Sequence, residues 1–372
     1  MNRRLLSILF FILFLSGHAI AQDKDCEQIL AQADNEYNAG RFYGIPSLLK
    51  SCLESGFTNE QKVRAYLILT QAYLILDDPI GADDSYLKLL KADPEYLANP
   101  ARDAIDVYYL SRKFTSTPVF TPHLRVGFNT SKPRLIQEVT TSGTLLDRKE
   151  IPKVGFQLGV GFDWNLNNHW SLCTEGNFSY KSFKRESKGY SRNDVQTMQE
   201  NHTGFDIPLY VKYSDDSGKV RPFGYAGFAI GMLTSANVSL QFDNATPSNS
   251  EVGIKQTSGR NESVYFKRNF LNRSLVFGGG AKYKIGKDFV YADIRYMAGL
   301  SNFIKVNENH YSQDDAFDPS LTSYQYVSDL FRLDNLSLSF GYIHPIYNPR
   351  KKTKPRLGNL FKKKADTEKD KS

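Results

Sequence analysis

The sequence predicts an α + β multidomain chain: an N-terminal all-α helical-repeat domain followed by a C-terminal eight-stranded antiparallel transmembrane β-barrel. Three observations carry this expectation. Between residues 23 and 115 apolar side chains recur three and four apart, the period of amphipathic helices. From Pro118 to about residue 347 the period becomes two, that of strands with two unlike faces. The connections between those strands alternate strictly between short and long, the asymmetry of a barrel inserted in an outer membrane. Composition agrees: 41% hydrophobic and 23% charged residues exclude long-range disorder.

The first 21 residues read as a signal peptide. Two arginines precede an apolar run from Leu5 to Leu15, and Ala19-Ile20-Ala21 places cleavage before Gln22. Cys26 follows Asp-Lys-Asp rather than the small apolar residues of a lipoprotein signal, so no lipid anchor is expected. Export permits disulfides. Cys26 starts the first helix and Cys52 ends the second, and in an antiparallel hairpin those ends lie side by side. A bridge between them closes a loop of about 26 residues and is worth roughly 3 kcal/mol; the alternative is two free core thiols. Cys173 has no evident partner. No C-x-x-C and no His/Cys cluster has metal-ligand spacing, so neither a metal nor a cofactor is expected.

Residues 22–115 read as a helical domain. Ile29, Leu30, Ala33 and Tyr37 form one apolar stripe, stopped by Asn38-Ala39-Gly40; Ile45, Leu48, Leu49, Cys52 and Leu53 form a second. Thr58 caps a third helix, with Gln61 completing a capping box. Pro79 opens a fourth, and Pro100 begins a last helix to about Lys113. Tyr37 precedes Tyr73 by 36 positions, and Lys91-Ala92-Asp93-Pro94 reads as a repeat end. These features resemble tetratricopeptide repeats. The resemblance implies a protein-binding face; the other reading is a helical spacer with no ligand.

Residues 116–348 read as the barrel. Val154, Phe156, Leu158, Val160, Phe162 and Trp164 alternate with small or polar residues, and the pattern recurs in 124–128, 205–213, 290–296 and 336–342. Strands are expected over 119–130, 153–165, 169–182, 203–214, 221–234, 270–286, 288–303 and 331–346. Connections are short after the second, fourth and sixth of these and run to about 20 residues or more after the others. An even strand number places both chain ends on the short-turn side, the periplasmic side of such barrels. Aromatic residues flank the short turns: Trp164, Trp170, Tyr213, Phe223, Tyr283, Phe289 and Tyr342 are expected to form an interfacial girdle. Arg125, Asp163, Glu175, Lys212, Asp293 and Arg295 fall on the inward face, where unpaired charge is costly, so a paired ladder is expected in the lumen.

The segments FDIPLYVKY (205–213), RPFGYAGFAIG (221–231), FGGGAKYKIG (277–286), FVYADIRYMAGLSN (289–302) and LSLSFGYIHPI (336–346) resemble, in order and spacing, the PorT-like outer-membrane β-barrel family of the Bacteroidota. The resemblance covers about 230 residues. Two features depart from it: the helical domain in front and the basic tail behind. Some members are linked to protein secretion machinery, so the resemblance implies the fold and, more distantly, an assembly role.

Catalysis has no visible apparatus. His123, His169, His202, His310 and His344 lack a serine and an acid at strand-face spacing. His202, with Glu200 beside it, is expected to be a solvated loop histidine. Asp314-Asp315 lacks the ligand number of a calcium site. The net charge of +7 resides in residues 350–372, which hold ten Lys/Arg and three Asp/Glu, leaving the rest neutral. A nucleic-acid surface is therefore not expected. Residues 349–372 read as a disordered basic periplasmic tail, suited to an acidic partner, cell-wall polymer or lipid head groups. The expected function is structural: an outer-membrane barrel anchoring a periplasmic interaction domain (residues 23–115) that docks an envelope protein, with no enzymatic activity. A transport or signalling barrel and an outer-membrane enzyme are the rivals.

Overall fold

The computed structural model describes residues 21–139, 146–188, 195–244, 247–248, 251–252, 255–259, 261–306 and 328–352. Residues 1–20, where a signal peptide is expected, together with His310, Asp314-Asp315 and the expected tail beyond Lys352, lie outside the described residues. The chain divides into two units: residues 1–117 with 347–372, and residues 118–346. Among the described residues, no helix is long and apolar enough to cross a membrane.

The first unit holds α1 (Ala21–Asn38), α2 (Ile45–Glu54), α3 (Asn59–Ile75), α4 (Pro79–Ala92) and α5 (Ile105–Ser111), followed by the short strand β1 (Phe114–Thr115). Thr58 accepts from the Gln61 amide while the Gln61 side chain accepts from the Thr58 amide, a complete capping box at α3. Asp78 caps α4 through the Gly81 amide. Two apolar clusters share α3. Leu30, Ala33, Ile45, Leu49, Ile68 and Leu69 pack around one side, where Cys26 and Cys52 form a disulfide. Ala82, Tyr86, Leu89, Val107, Leu110 and Phe114 form the other. The last helix begins at Ile105 rather than Pro100. The Asn99 side chain accepts from the Ala101 amide and Asp103 accepts from the Asn99 amide, which holds that stretch in turns.

The end of the chain returns to this unit. Strand β15 (Arg350–Lys351) pairs antiparallel with β1, Lys351 bonds Asp83, and the Tyr347 hydroxyl donates to Glu95 at 2.9 Å. The expected tail from residue 349 is therefore corrected at its start: residues 349–352 are ordered because β1 offers them a backbone edge and α4 a carboxylate.

Tyr86 sits inside the second cluster, its ring centroid 5.2 Å from that of Phe114. Burial pushes its hydroxyl from 10.0 up to about 12. In the unfolded chain that hydroxyl ionises first, so stability is complete below pH 10 and declines as pH rises through 12. We expect the melting temperature of the helical circular dichroism signal to fall across that window in the intact protein, and to fall less in Tyr86→Phe. Equal alkaline losses in parent and variant would overturn the assignment.

The second unit is built on one large antiparallel sheet. Its strands are β2 (Phe120–Gln137), β3 (Asp147–Pro152), β4 (Val154–Asn165), β5 (Trp170–Lys188), β6 (Val195–Ser214), β7 (Val220–Asn244), β10 (Lys255–Ser258), β11 (Glu262–Ser263), β12 (Leu271–Ile285), β13 (Asp288–Gly299) and β14 (Leu330–Ile343). A separate ribbon joins β8 (Pro247–Ser248) to β9 (Glu251–Val252). Among the described residues the sheet has eleven strands, more than the eight expected. The long strands pair in the order β2, β4, β5, β6, β7, β12, β13, β14, and β14 pairs back with β2, so the sheet closes. The short strands β3, β10 and β11 add to β5 and β7 at the long-loop end. The tight turn before β13 needs Gly286 at φ 63, a left-handed conformation that glycine adopts without strain.

The long strands run past their expected ends. β5 and β6 reach Lys188 and Val195, so the connection expected to have about 20 residues has only six. The reason is an inversion of polarity along the wall. Toward the short turns the outward side chains are apolar: Phe205, Ile207, Leu209 and Val211 on β6, and Phe228 and Ile230 on β7, are all exposed. Beyond a register shift at Thr203/Gly204 the outward side chains of β6 are Thr203, Asn201, Gln199 and Thr197. There the interior gathers an apolar cluster, Phe183, Met198, Leu233, Val238, Leu240, Phe303 and Phe331, beside the buried and paired Glu200, His202, Arg268 and Arg185. The short-turn half carries its apolar face outward, and the long-loop half carries it inward like a water-soluble protein.

Candidate functional site

The interior of the short-turn half is where charge collects. Period-two alternation turns every second residue of each strand inward. Arg125 (β2), Asp163 (β4), Glu175 (β5), Asp293 and Arg295 (both β13) are each under 5% exposed. Glu175 is the hub. Arg295 donates to both its oxygens at 2.7 Å, Arg125 approaches at 3.3 Å, and Asn177 and the Tyr210 hydroxyl also donate to it. Arg125 donates at 2.9 Å to both oxygens of Asp293, which also accepts from the Tyr225 hydroxyl. Lys212 pairs with Asp163, and His123 lies between Asp163 at 3.7 Å and Glu175 at 3.5 Å. The six charged residues read as a ladder thus meet in one network.

Space for this network comes from small neighbours. A Cβ on Gly278 would stand 2.3 Å from the Tyr225 ring, so only glycine lets that ring cross the interior to Asp293. His123, Tyr210 and Tyr225 were not among the expected site residues. Their inward parity was readable for His123 and Tyr210, but the weak alternation of β7 hid Tyr225.

Of the aromatic girdle, Trp164, Trp170, Tyr213, Tyr283 and Tyr342 point outward and are 42–48% exposed. Trp170 and Tyr213 stand opposite each other across β5 and β6, ring centroids 5.0 Å apart. Phe223 and Phe289 are corrections. Phe289 is buried, with the Arg221 guanidinium 4.9 Å and the Lys282 ammonium 5.2 Å from its ring. Phe223 packs on Tyr225 and Tyr291. Each lies two residues before an inward tyrosine, so parity turns it into the interior.

His202 is also corrected. It is buried on β6 rather than solvated in a loop, with Glu200 at 2.7 Å and the Arg268 guanidinium donating to the same carboxylate at 2.6 Å. The extension of β6 past its expected end takes His202 inside. Its other ring nitrogen has no hydrogen-bond partner. A cavity of about 50 Å³, lined by His202, Lys181, Asp206, Asn272 and Ser301 among others, adjoins it, enough for ordered water. Above these, Arg185 bonds Glu150 at 2.5 Å and Asp329 at 2.6 Å, closing the long-loop end with a second ionic layer. His169 stacks on Tyr213 and His344 pairs with Asp288. Among the described residues no cluster of His, Cys, Asp and Glu is arranged to hold a metal ion.

Several solved structures are similar to this chain. Neisserial surface protein A is 12% identical, covering 61% of this chain and 97% of that one, with a TM-score of 0.28. The outer membrane protein OprG from Pseudomonas aeruginosa is 12% identical, covering 62% and 99%, with a TM-score of 0.33. Ail, the attachment invasion locus protein of Yersinia pestis, is 15% identical, covering 60% and 98%, with a TM-score of 0.25. No curated protein matches the chain in sequence. A family model described as an outer membrane protein beta-barrel domain matches residues 120–305, which is half of the chain and runs from the first residue of β2 to just beyond β13. The chain belongs to this family of β-barrel proteins of the outer membrane.

Proposed function

We propose that the protein is a structural or assembly component of the cell envelope. In this reading an eight-stranded barrel of the PorT-like type anchors a tetratricopeptide-like helical unit in the periplasm, where that unit docks an envelope or secretion-machinery protein. The long loops then face the cell exterior. One observation carries the choice of anchor over conduit: buried, mutually paired charges occupy the interior of the short-turn half, and an apolar cluster occupies the interior above them. The disulfide supports an oxidising compartment for the helical unit. The docking residues we favour are the exposed ones on α3 and α4, with Ile75 and Ile80 the exposed apolar side chains there.

The enzyme reading needs a hydroxyl on the free nitrogen of the His202–Glu200 pair. None of the described residues supplies one, and we propose a protein without catalysis. The test is crosslinking in intact envelopes, comparing the full chain with a version lacking residues 23–115. A defined partner captured by the first and lost from the second is the expected result. No defined partner in either would overturn the docking role and turn attention to the loops and interior.

A further inference from the structure

The outer wall carries a charge arrangement that the anchor role does not use. On β2 the outward side chains Leu124, Val126 and Phe128 are 57–61% exposed, and on β14 Leu336, Leu338 and Phe340 match them. Immediately beyond, the outward positions become Lys132 and Arg134 on β2 and Asp334 and Arg332 on β14. The register sets Arg332 directly opposite Arg134 and Asp334 opposite Lys132. Like charges facing each other across a strand pair are destabilising unless something neutral or anionic intervenes.

Among the described residues, the carboxylate at these outward positions is Asp334, and it is already shared. Asp334 accepts from Arg134 at 3.2 Å, from the Tyr296 hydroxyl at 2.9 Å and from the Gly299 amide at 2.9 Å. Arg134 also donates to the Gly299 carbonyl at 2.7 Å. Arg332 has no ion pair among the described residues, and its Nε is buried without a hydrogen-bond partner. Arg273 on β12 joins the same level. Its carbonyl accepts from the Leu300 amide, and continuing the β13–β14 register from Met297 and Asn335 puts Leu300 opposite Arg332. Two strand spacings, about 10 Å, then separate Arg273 from Arg332. Among the described residues, three arginines and a lysine thus face one carboxylate on a single outward patch.

Height on the wall identifies what meets this patch. Ten steps from Phe120 to Thr130, at about 3.3 Å each and a tilt of about 40°, rise about 25 Å, the height of the apolar band of an outer-membrane barrel. Arg134 stands four steps higher, about 10 Å farther, at head-group level. A ligand here meets guanidinium groups above and the apolar residues Leu336 and Tyr296 just below. Arginine forks match phosphate oxygens.

We propose that Arg134 and Arg332, assisted by Lys132 and Arg273, bind the phosphate of a membrane glycolipid head group whose acyl chains lie along the apolar band. The assignment to a glycolipid of the outer leaflet rests on the orientation proposed above. The binding itself does not, because detergent solution has no sidedness; its failure is therefore distinguishable from failure of the orientation.

The experiment is native mass spectrometry of the full-length protein in neutral detergent, with bisphosphorylated lipid A as the probe. The parent is expected to retain the lipid, and Arg134→Gln/Arg332→Gln to bind it about tenfold or more weakly. Lys50→Gln/Lys219→Gln, an equal loss of charge elsewhere, is expected to bind like the parent. Arg332→Gln alone, the milder change, is expected to weaken binding in the same direction; heat-modified gel migration confirms that each variant folds. Dephosphorylated lipid A is expected to bind the parent as weakly as the intact lipid binds the double variant. Millimolar inorganic phosphate is expected to leave the lipid bound. Unchanged binding by the double variant, equal binding of dephosphorylated lipid, or displacement by inorganic phosphate would each overturn the proposal, the last by showing a soluble-anion site.

Discussion

Glu175→Leu is expected to destabilise the barrel by about 3–5 kcal/mol, the range for stripping buried charges of their partner. The carboxylate serves five neighbours at once: both terminal nitrogens of Arg295, one of Arg125, the Asn177 amide, the Tyr210 hydroxyl and, at 3.5 Å, the His123 ring. Arg125 keeps Asp293 in the variant, but Arg295 loses both of its 2.7 Å contacts and remains 2% exposed between Tyr210 and Tyr225. A charge held there without an anion or water is the costly state. Glu175→Gln keeps an acceptor oxygen and the shape, so a smaller loss is expected. The check is urea unfolding of the intact protein folded into lipid vesicles, followed by tryptophan fluorescence. Trp164 and Trp170 are the only tryptophans in the sequence and both belong to the barrel, so the signal reports that unit alone. A loss below about 1 kcal/mol for the leucine variant would mean that water already solvates the arginines. It would favour a hydrated path and count against the anchor reading.

How far the sequence reveals this network depends on how cleanly each strand alternates. β4 and β13 alternate without a break, so the inward placement of Asp163, Asp293 and Arg295 could be read residue by residue. β7 hides its parity because Gly224, Ala226 and Gly227 carry too little side chain to mark a face, and the inward placement of Tyr225 is hidden with it. Phe289 shows the opposite error: its position beside a turn outweighed a parity that already placed Val290, Ala292 and Ile294 outward. The outer halves of β5, β6 and β7 were illegible for a different reason. The rule that apolar means lipid-facing holds only inside the bilayer. Past Thr203 the same alternation carries the opposite meaning, so Met198 and Val238 face a core while Gln199 and Asn237 face water. That reversal is what puts His202, expected in a solvated loop, inside the wall. In the helical unit the caps at Thr58 and Asp78 were legible from local chemistry, whereas the return of Arg350 and Lys351 to β1 was not. No pattern in a run of basic residues names a partner strand some 235 positions earlier.

Removing the Cys26–Cys52 bridge is expected to cost the helical unit about 3 kcal/mol, since the bridge closes a loop of 26 residues in the unfolded chain. Cys26 and Cys52 are 6% and 3% exposed and touch the cluster built from Leu30, Ile45, Leu49 and Ile68, so a Cys26→Ala/Cys52→Ala pair, which buries no hydroxyl among apolar side chains, tests mainly the covalent link. The loss should not spread evenly. Helices α1 and α2 have the bridge as their covalent tie, while α4 and α5 pack on the far side of α3 around Tyr86, Leu89 and Val107. Hydrogen exchange in the intact protein is the measurement. Amides of α1 and α2 are expected to exchange about a hundredfold faster in the variant, the ratio matching about 3 kcal/mol, with α4 amides changed far less. Equal acceleration in α4 would show that α3 transmits the loss and that both clusters open as one cooperative unit. Equal protection in parent and variant would show that the apolar cluster holds the hairpin alone. The expected result makes folding of the first hairpin depend on an oxidising compartment, since a reducing one leaves α1 and α2 without their tie. That dependence links the fold of the proposed docking unit to its export, before any partner is met.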